Sequence, residues 1–352
     1  MGEKVFVAMS GGLDSTMAAS LLRARGYECV GATMALFDSD ASREAVKAGR
    51  QACAELGMEH YVFDFSSEFE REVMDRFARG YGEDGCTPNP CIFCNRLIKF
   101  GALFDRAAAL GIEKVATGHY AIKDRVKGKV VLKKALDQTK DQSYMLYSLS
   151  RKQLERAVFP LGGLRKEDLR RIGAKQGLSA AERKDSQDIC FVPEGDYAGF
   201  IKAYFQRRGE HCPGFETGNF IDSAGWVLGR HAGHAYYTVG QRKGTGLAFG
   251  KPMYVAAKNP AANTVTLCED EELYHKNLEA GDFNWIGPEE FQSPMSISAK
   301  IRYKHREQPA IIRQTGPDTV HVEFNVPQRA IARGQSVVLY DGDLVLGGGI
   351  IR

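Results

Sequence analysis

Val5-Phe6-Val7-Ala8-Met9 is a compact apolar run that fits a buried strand. Asp14 to Arg25 then places Met17, Leu21 and Leu22 at helical spacing and ends at Gly26, a natural C-cap. Cys29 to Met34 reads as a second strand, Ala41 to Leu56 as a second helix stopped by Gly57, and Glu59 to Phe65 as a third strand. Another helix ends near Gly111, and Lys114 to Gly118 forms a further strand. Buried strands alternating with helices predict an α/β fold with a doubly wound parallel sheet. Ligands of such sheets sit at the carboxyl ends of the strands.

From about residue 201 the helical period fades, and glycine and short alternating runs take over. The pattern predicts three units: an α/β domain over 1–200, a small mainly-β domain over 201–272, and a C-terminal β-barrel over 273–352. Short strands are expected around Trp226-Val227-Leu228 and Met253-Tyr254-Val255. The barrel strands are expected at 296–303, 310–314, 319–324, 336–340 and 344–351. Asp341-Gly342 marks a hairpin turn.

Composition changes this picture little. With 43% hydrophobic and 26% charged residues, the chain is an ordinary globular sequence, long enough for several cores. No run is long and apolar enough to span a bilayer, and no signal-peptide pattern precedes the first strand, which implies a cytoplasmic protein. A net charge of +3 argues only weakly for nucleic acid, so any RNA contact must rest on local patches.

Chemistry first enters at Ser10-Gly11-Gly12-Leu13-Asp14-Ser15-Thr16, between the first strand and the first helix. Tandem glycines allow a tight turn and close approach to a ligand. The hydroxyls and the free amides of the helix start offer donors to an anion. The lysine of a Walker A loop is missing. Read structurally, the same residues are a plain turn capped by Ser10 or Asp14. The second signal is cysteine. Of 8 cysteines, Cys29, Cys53 and Cys268 read as buried small hydrophobes, whereas Cys86, Cys91 and Cys94 fall within nine residues of a proline-stiffened segment. Cys94 lies near a helix start beside Arg96 and Lys99, a setting that favours thiolate. Cys190 follows the polar run Lys184-Asp185-Ser186-Gln187-Asp188. His231 and His234, in a glycine-rich strand region, read as structural despite their H-x-x-H spacing.

The S-G-G-x-D-S loop resembles that of the PP-loop ATP pyrophosphatases, which implies an adenine nucleotide α hydrolase-like domain. The resemblance implies that Ala8, Met9, Ser10, Gly11, Gly12, Leu13, Asp14 and Ser15 hold the pyrophosphate part of ATP. Asp14 would lie near Mg²⁺, and Met34 and Gly118 near the adenosine. Further blocks narrow it: T-P-N-P-x-x-x-C-N-x-x-I-K-F at 87–100, T-G-H-Y at 117–120, K-D-Q-S-Y at 140–144, D-S-Q-x-I-C-F at 185–191, Y-T-V-G-Q-R-K-G at 237–244, P-Q-R-A-I-A at 327–332 and G-Q-S-V-V-L-Y-D-G-D at 334–343. In this order and over nearly the whole chain, they resemble the tRNA 2-thiouridylase family.

That resemblance implies adenylation of the C2 oxygen of the wobble uridine of tRNA, followed by its replacement with sulfur. Cys94 would be the nucleophile and Cys190 the carrier of a persulfide supplied by a sulfur donor. Asn89, Pro90 and Cys91 would line the target base, and His119, Lys140, Asp141, Gln142, Arg302, Tyr303 and Gln335 would contact tRNA. Many members carry aspartate where this chain has Cys91. Cys91, Cys94 and Cys190 are therefore also candidate ligands of an iron–sulfur cluster, or less readily of zinc. Basic residues support RNA binding: Arg165, Lys166, Arg170, Arg171 and Lys175 on one helix, and Lys300, Arg302, Lys304 and Arg306 on one face of an expected strand. Neither a membrane nor DNA is an expected partner. The alternatives are a PP-loop enzyme that adenylates a small metabolite and a β-barrel RNA-binding module with a degenerate nucleotide domain.

Overall fold

The computed structural model describes residues 2–183 and 188–352. Strands β1 (Lys4–Ala8), β2 (Glu28–Ala35), β3 (His60–Asp64) and β4 (Lys114–Ala116) precede a hairpin, β5 (Ile122–Val126) and β6 (Lys129–Lys133), and then β7 (Ala157–Val158). Five of these form a parallel sheet in the order β3-β2-β1-β4-β7. β1 is central because Val5, Phe6 and Val7 are apolar and fully buried, as a strand covered on both faces requires. The strand order reverses around β1, which places the topological switch point at its carboxyl end.

Helix α1 (Leu13–Ala24) buries Met17, Ala18 and Leu22 against the sheet, and α2 (Asp40–Glu55) is capped by the Ser39 hydroxyl, which accepts from Ser42 N at 3.1 Å. Residues 66–82 and 90–109 are also helical, with π-helical turns at Glu70–Met74 and Cys94–Ala102.

The central unit holds β8 (Gly218–Ile221), β9 (Val227–His231), β10 (Tyr254–Asn259) and β11 (Thr264–Cys268), in the order β10-β11-β8-β9. The barrel comprises β12 (Tyr274–Trp285), β13 (Met295–Lys300), β14 (Gln308–Gly316), β15 (Thr319–Arg329), β16 (Ser336–Asp341) and β17 (Leu344–Ile351), and it closes because β12 pairs with both β15 and β17. β12 escapes the alternation rule because Lys276, Asn277, Glu279 and Asp282 interrupt its apolar positions. β13 ends at Lys300, so the strand expected to run to Tyr303 instead breaks into turns.

The barrel is not a loosely tethered unit. β6 of the α/β domain pairs with β17, Leu344 opposite Lys133 and Val345 opposite Leu132, and so lengthens the barrel sheet by a hairpin. Buried Tyr144 donates its hydroxyl to Ser336 O at 2.8 Å, and the Tyr147 hydroxyl lies 2.9 Å from Ser336 Oγ. No described helix is long and apolar enough to cross a membrane.

Candidate active site

The glycine-rich loop joins β1 to α1 at the switch point. Gly11 has φ +73°, and a Cβ there would lie 2.2 Å from Ala48 Cβ, so the turn is reachable only without a side chain. Gly12 is the N-cap of α1, and no side chain caps it, contrary to the plain-turn reading. The Ser15 and Thr16 hydroxyls donate back to Gly12 O at 3.1 and 3.0 Å, and Ser15 Oγ accepts from Ser10 N at 3.2 Å. The first amides of α1 thus remain for an external anion.

Asp14 is held from two sides: Oδ1 accepts from Tyr120 Oη at 2.8 Å and from Lys166 Nζ at 2.7 Å. The Lys166 side chain is only 7% exposed. Lys166 therefore braces the glycine-rich loop through Asp14 and does not join the basic face expected of its helix, because that helix packs onto α1. Tyr120 and Lys166 were both missed as site residues, although Tyr120 closes the T-G-H-Y motif. Gly118 follows β4, and a Cβ there would stand 2.8 Å from Asp14 C and 2.9 Å from Ser15 N. Backbone contact this close fixes the width of the crevice. Met34 lies, half-buried, near the end of β2.

The cysteine segment is built by capping and clamping. Asn89 caps the helical turn Pro90–Phe93, its Oδ1 accepting from Cys91 N at 3.2 Å, with Pro90 pre-set for the first helical position. Thr87 N donates to Arg333 O at 2.8 Å, and Gln335 Nε2 donates to Thr87 O at 2.7 Å, so the barrel grips this loop. Asn95 is buried and donates from Nδ2 to Met145 O at 3.1 Å. Phe191, packed against Phe69, Phe77 and Phe200 at 5.0 to 5.6 Å between ring centroids, brings its neighbour Cys190 back to this segment. Residues Lys184, Asp185, Ser186 and Gln187 of the Cys190 motif lie outside the described residues.

Cys91, Cys94 and Cys190 come near enough to feel one another electrostatically, and Lys99 acts on all three. The expected low-pKa thiolate is not what this environment gives. Burial pushes Cys94 up to about 11, and Lys99 offsets only part of that. Protein around the solvent-reached Cys190 thiol drives it up to about 12, first by desolvation and then through Cys94 and Cys91. Cys91 moves the same way, mainly by desolvation. Two sequence arguments fail for physical reasons. Cys94 ends the first helical turn instead of starting it, and Arg96 turns away to pair with Asp282 of the barrel at 2.7 Å. Among the described residues, no three Cys, His, Asp or Glu side chains come together to hold a metal ion. His231 and His234 are buried, and His231 Nδ1 accepts from Gly233 N at 3.0 Å.

The residues expected to touch tRNA divide. His119 is buried between Phe100 and Phe159, its Nδ1 2.7 Å from Thr117 Oγ1, and desolvation first, then Lys99, holds its pKa well below the usual range. Asp141 is also buried, bracing its own turn through Ala135 N and Ser143 Oγ at 2.9 and 2.8 Å. Gln142 Oε1 accepts from Tyr120 N at 2.9 Å, and Lys140 is half-buried beside it. Arg302 donates to Ala330 O at 3.2 Å, and Tyr303 packs 6.2 Å from the Tyr144 ring. The alternating basic stripe over 300–306 does not form, since the strand stops at Lys300.

A parallel α/β domain with an uncapped, glycine-rich anion loop and two β units behind it defines a class: nucleotide-binding HUP proteins with appended β domains. Residues 3–194 match the family described as tRNA methyl transferase HUP domain, 209–269 its PRC-barrel domain, and 275–351 the aminomethyltransferase beta-barrel domain. The tRNA-specific 2-thiouridylase MnmA of Clostridioides difficile is 44% identical over 100% of this chain and 99% of its own. That of Carboxydothermus hydrogenoformans is 46% identical over 99% of this chain and 98% of its own. The chain belongs to the tRNA-specific 2-thiouridylase family. Among solved structures, U34-tRNA thiolase NcsA from Methanococcus maripaludis with its [4Fe-4S] cluster aligns at 17% identity, TM-score 0.38, over 58% of this chain and 65% of that one. So distant a likeness assigns nothing to this chain.

Proposed function

We propose that this chain is an ATP-dependent tRNA uridine 2-sulfurtransferase. The observation that carries the reading is the gathering of three mutually interacting thiols around Lys99, whose charge also reaches His119, the neighbour of the Gly118 that packs on the glycine-rich loop. The uncapped start of α1 receives the β- and γ-phosphates of ATP. The C2 oxygen of the target uridine then attacks the α-phosphate, pyrophosphate leaves, and C2 acquires a phosphate leaving group. Asn89, Pro90 and Cys91 border the space for that base.

Sulfur arrives on Cys190 as a persulfide from a donor. Its terminal sulfur attacks C2, and the C2–O bond breaks with its electron pair leaving on AMP. Cys94 then attacks Sγ of Cys190, forming a Cys94–Cys190 disulfide and releasing the 2-thiouridine; a thiol reductant restores both thiols. Mg²⁺ would neutralise phosphate charge, and the Asp14 carboxylate, one-third exposed and held by Tyr120 and Lys166, fits that task. The same three thiols, Cys91, Cys94 and Cys190, are the candidate ligands of an iron–sulfur cluster, the second route for sulfur delivery. The work is expected to take place in the cytoplasm.

Incubation with tRNA, ATP, a cysteine-persulfide donor and a thiol reductant for turnover, followed by nucleoside analysis, tests the reading. It predicts 2-thiouridine. AMP formed only on a small metabolite supports the rival synthetase, and stoichiometric iron and acid-labile sulfide in anaerobically purified protein supports a cluster.

A further inference from the structure

Lys99 falls within the T-P-N-P-x-x-x-C-N-x-x-I-K-F block, and the resemblance as read above gives it no role of its own, yet its position is distinctive. It lies five residues after Cys94 within the π-helical turn Cys94–Ala102. In an α-helix five residues advance about 500°, leaving such a pair about 140° apart around the axis. The i to i+5 pattern of a π-helix instead stacks them on one face, and such turns gather at functional sites. Lys99 is half-buried, and among the described residues no carboxylate pairs with it.

Its charge acts on two groups of site residues. One is Cys91, Cys94 and Cys190. The other is His119, and the adjoining Gly118 lies against Asp14 and Ser15 of the phosphate loop. The ammonium therefore acts both on the thiols that deliver sulfur and on His119, whose neighbour meets the loop that holds the nucleotide, and the interval between thiols and loop is within its reach. In an adenylation–thiolation reaction, the C2–O–P linkage of the activated uridine must occupy that interval. Sulfur approaches C2 from the thiol side, and AMP departs toward the loop.

We propose that Lys99 is a further catalytic residue, its ammonium holding the α-phosphate of the adenylated uridine and stabilising the charge that grows on AMP as the C2–O bond breaks. The lysine keeps its proton throughout. The electron pair of the C2–O bond leaves on the AMP oxygen, and a sulfur lone pair makes the new C2–S bond. This proposal rests on the adenylation–thiolation reading.

The test compares wild type, Lys99→Met and Lys99→Arg by three measurements: affinity for a non-hydrolysable ATP analogue, thiolation under tRNA and ATP saturation, and thermal melting. The expected result is ATP affinity within about threefold for both variants, thiolation lowered on the order of 10²-fold or more in Lys99→Met, and at least about tenfold recovery in Lys99→Arg. A role in packing alone cannot give this split, because arginine restores the charge and not the shape. If Lys99→Met does not fold, Lys99→Gln takes its place with the same expectations. Thiolation by the neutral variant within threefold of wild type overturns the proposal, as does an arginine variant no better than the neutral one at equal melting temperature. Absence of 2-thiouridine from wild type overturns the adenylation–thiolation reading and Lys99's role with it.

Discussion

Gly118→Ala adds one methyl group where the end of β4 meets the start of α1. The new Cβ would lie 2.8 Å from Asp14 C, 2.9 Å from Asp14 Cβ and 2.9 Å from Ser15 N. Ordinary contact begins near 3.4 Å, so about 0.6 Å must be found, and two of the three atoms are backbone that no rotamer change can move. Overpacking of this kind costs about 1–3 kcal/mol. If the nucleotide-binding geometry carries that cost, ATP affinity falls by roughly 5- to 150-fold, since about 1.4 kcal/mol is a factor of ten. Calorimetric titration with a non-hydrolysable ATP analogue measures the loss, and thermal melting shows whether the fold has absorbed part of it. Gly163→Ala is the control, since a Cβ there meets nothing within 4 Å. ATP affinity of Gly118→Ala within twofold of wild type, with an unchanged melting temperature, refutes the reasoning that this backbone contact sets the nucleotide crevice.

Further outcomes follow from the same geometry. Cys94→Ala should abolish thiolation while ATP affinity stays within about twofold; retained thiolation removes Cys94 from its role. Because burial raises the Cys94 thiol to about 11 against an ordinary value of 9.0, little thiolate exists at pH 7 in the free protein. Its alkylation by iodoacetamide should therefore keep rising roughly tenfold per pH unit beyond pH 9, where an ordinary thiol levels off; a plateau near pH 8 contradicts this environment. Gln335→Ala removes the donor that grips Thr87 O at 2.7 Å, a bond worth about 0.5–1.5 kcal/mol. It should lower the thiolation rate several-fold without changing ATP affinity, and an equal loss of both places Gln335 outside the cysteine loop's support.

The parts legible in the sequence are those whose cause is local. Apolar β1, the helical period of α1 and the tandem glycines each announce themselves within a few residues, and the structure puts Gly11 at the positive φ such a turn needs. What stayed hidden depends on contacts between distant segments. Nothing in Ile122 to Lys133 indicates that this hairpin will extend the barrel sheet through β17, and polar residues conceal β12. Charge was the weakest guide. Lys166 looked like part of an RNA-binding helix face but is buried on Asp14, and Arg96 looked like an activator of Cys94 but pairs with Asp282. The cysteines were found by spacing. Their raised pKa values come from burial, which spacing does not report.

The central claim is that the C2 oxygen of a tRNA uridine is adenylated before sulfur replaces it. Tracing that oxygen tests it most directly. With tRNA carrying ¹⁸O at C2 of the target uridine, the account predicts that each 2-thiouridine formed is matched by one AMP bearing the label in its phosphate. Formation of 2-thiouridine with unlabelled AMP, or with no AMP at all, contradicts it.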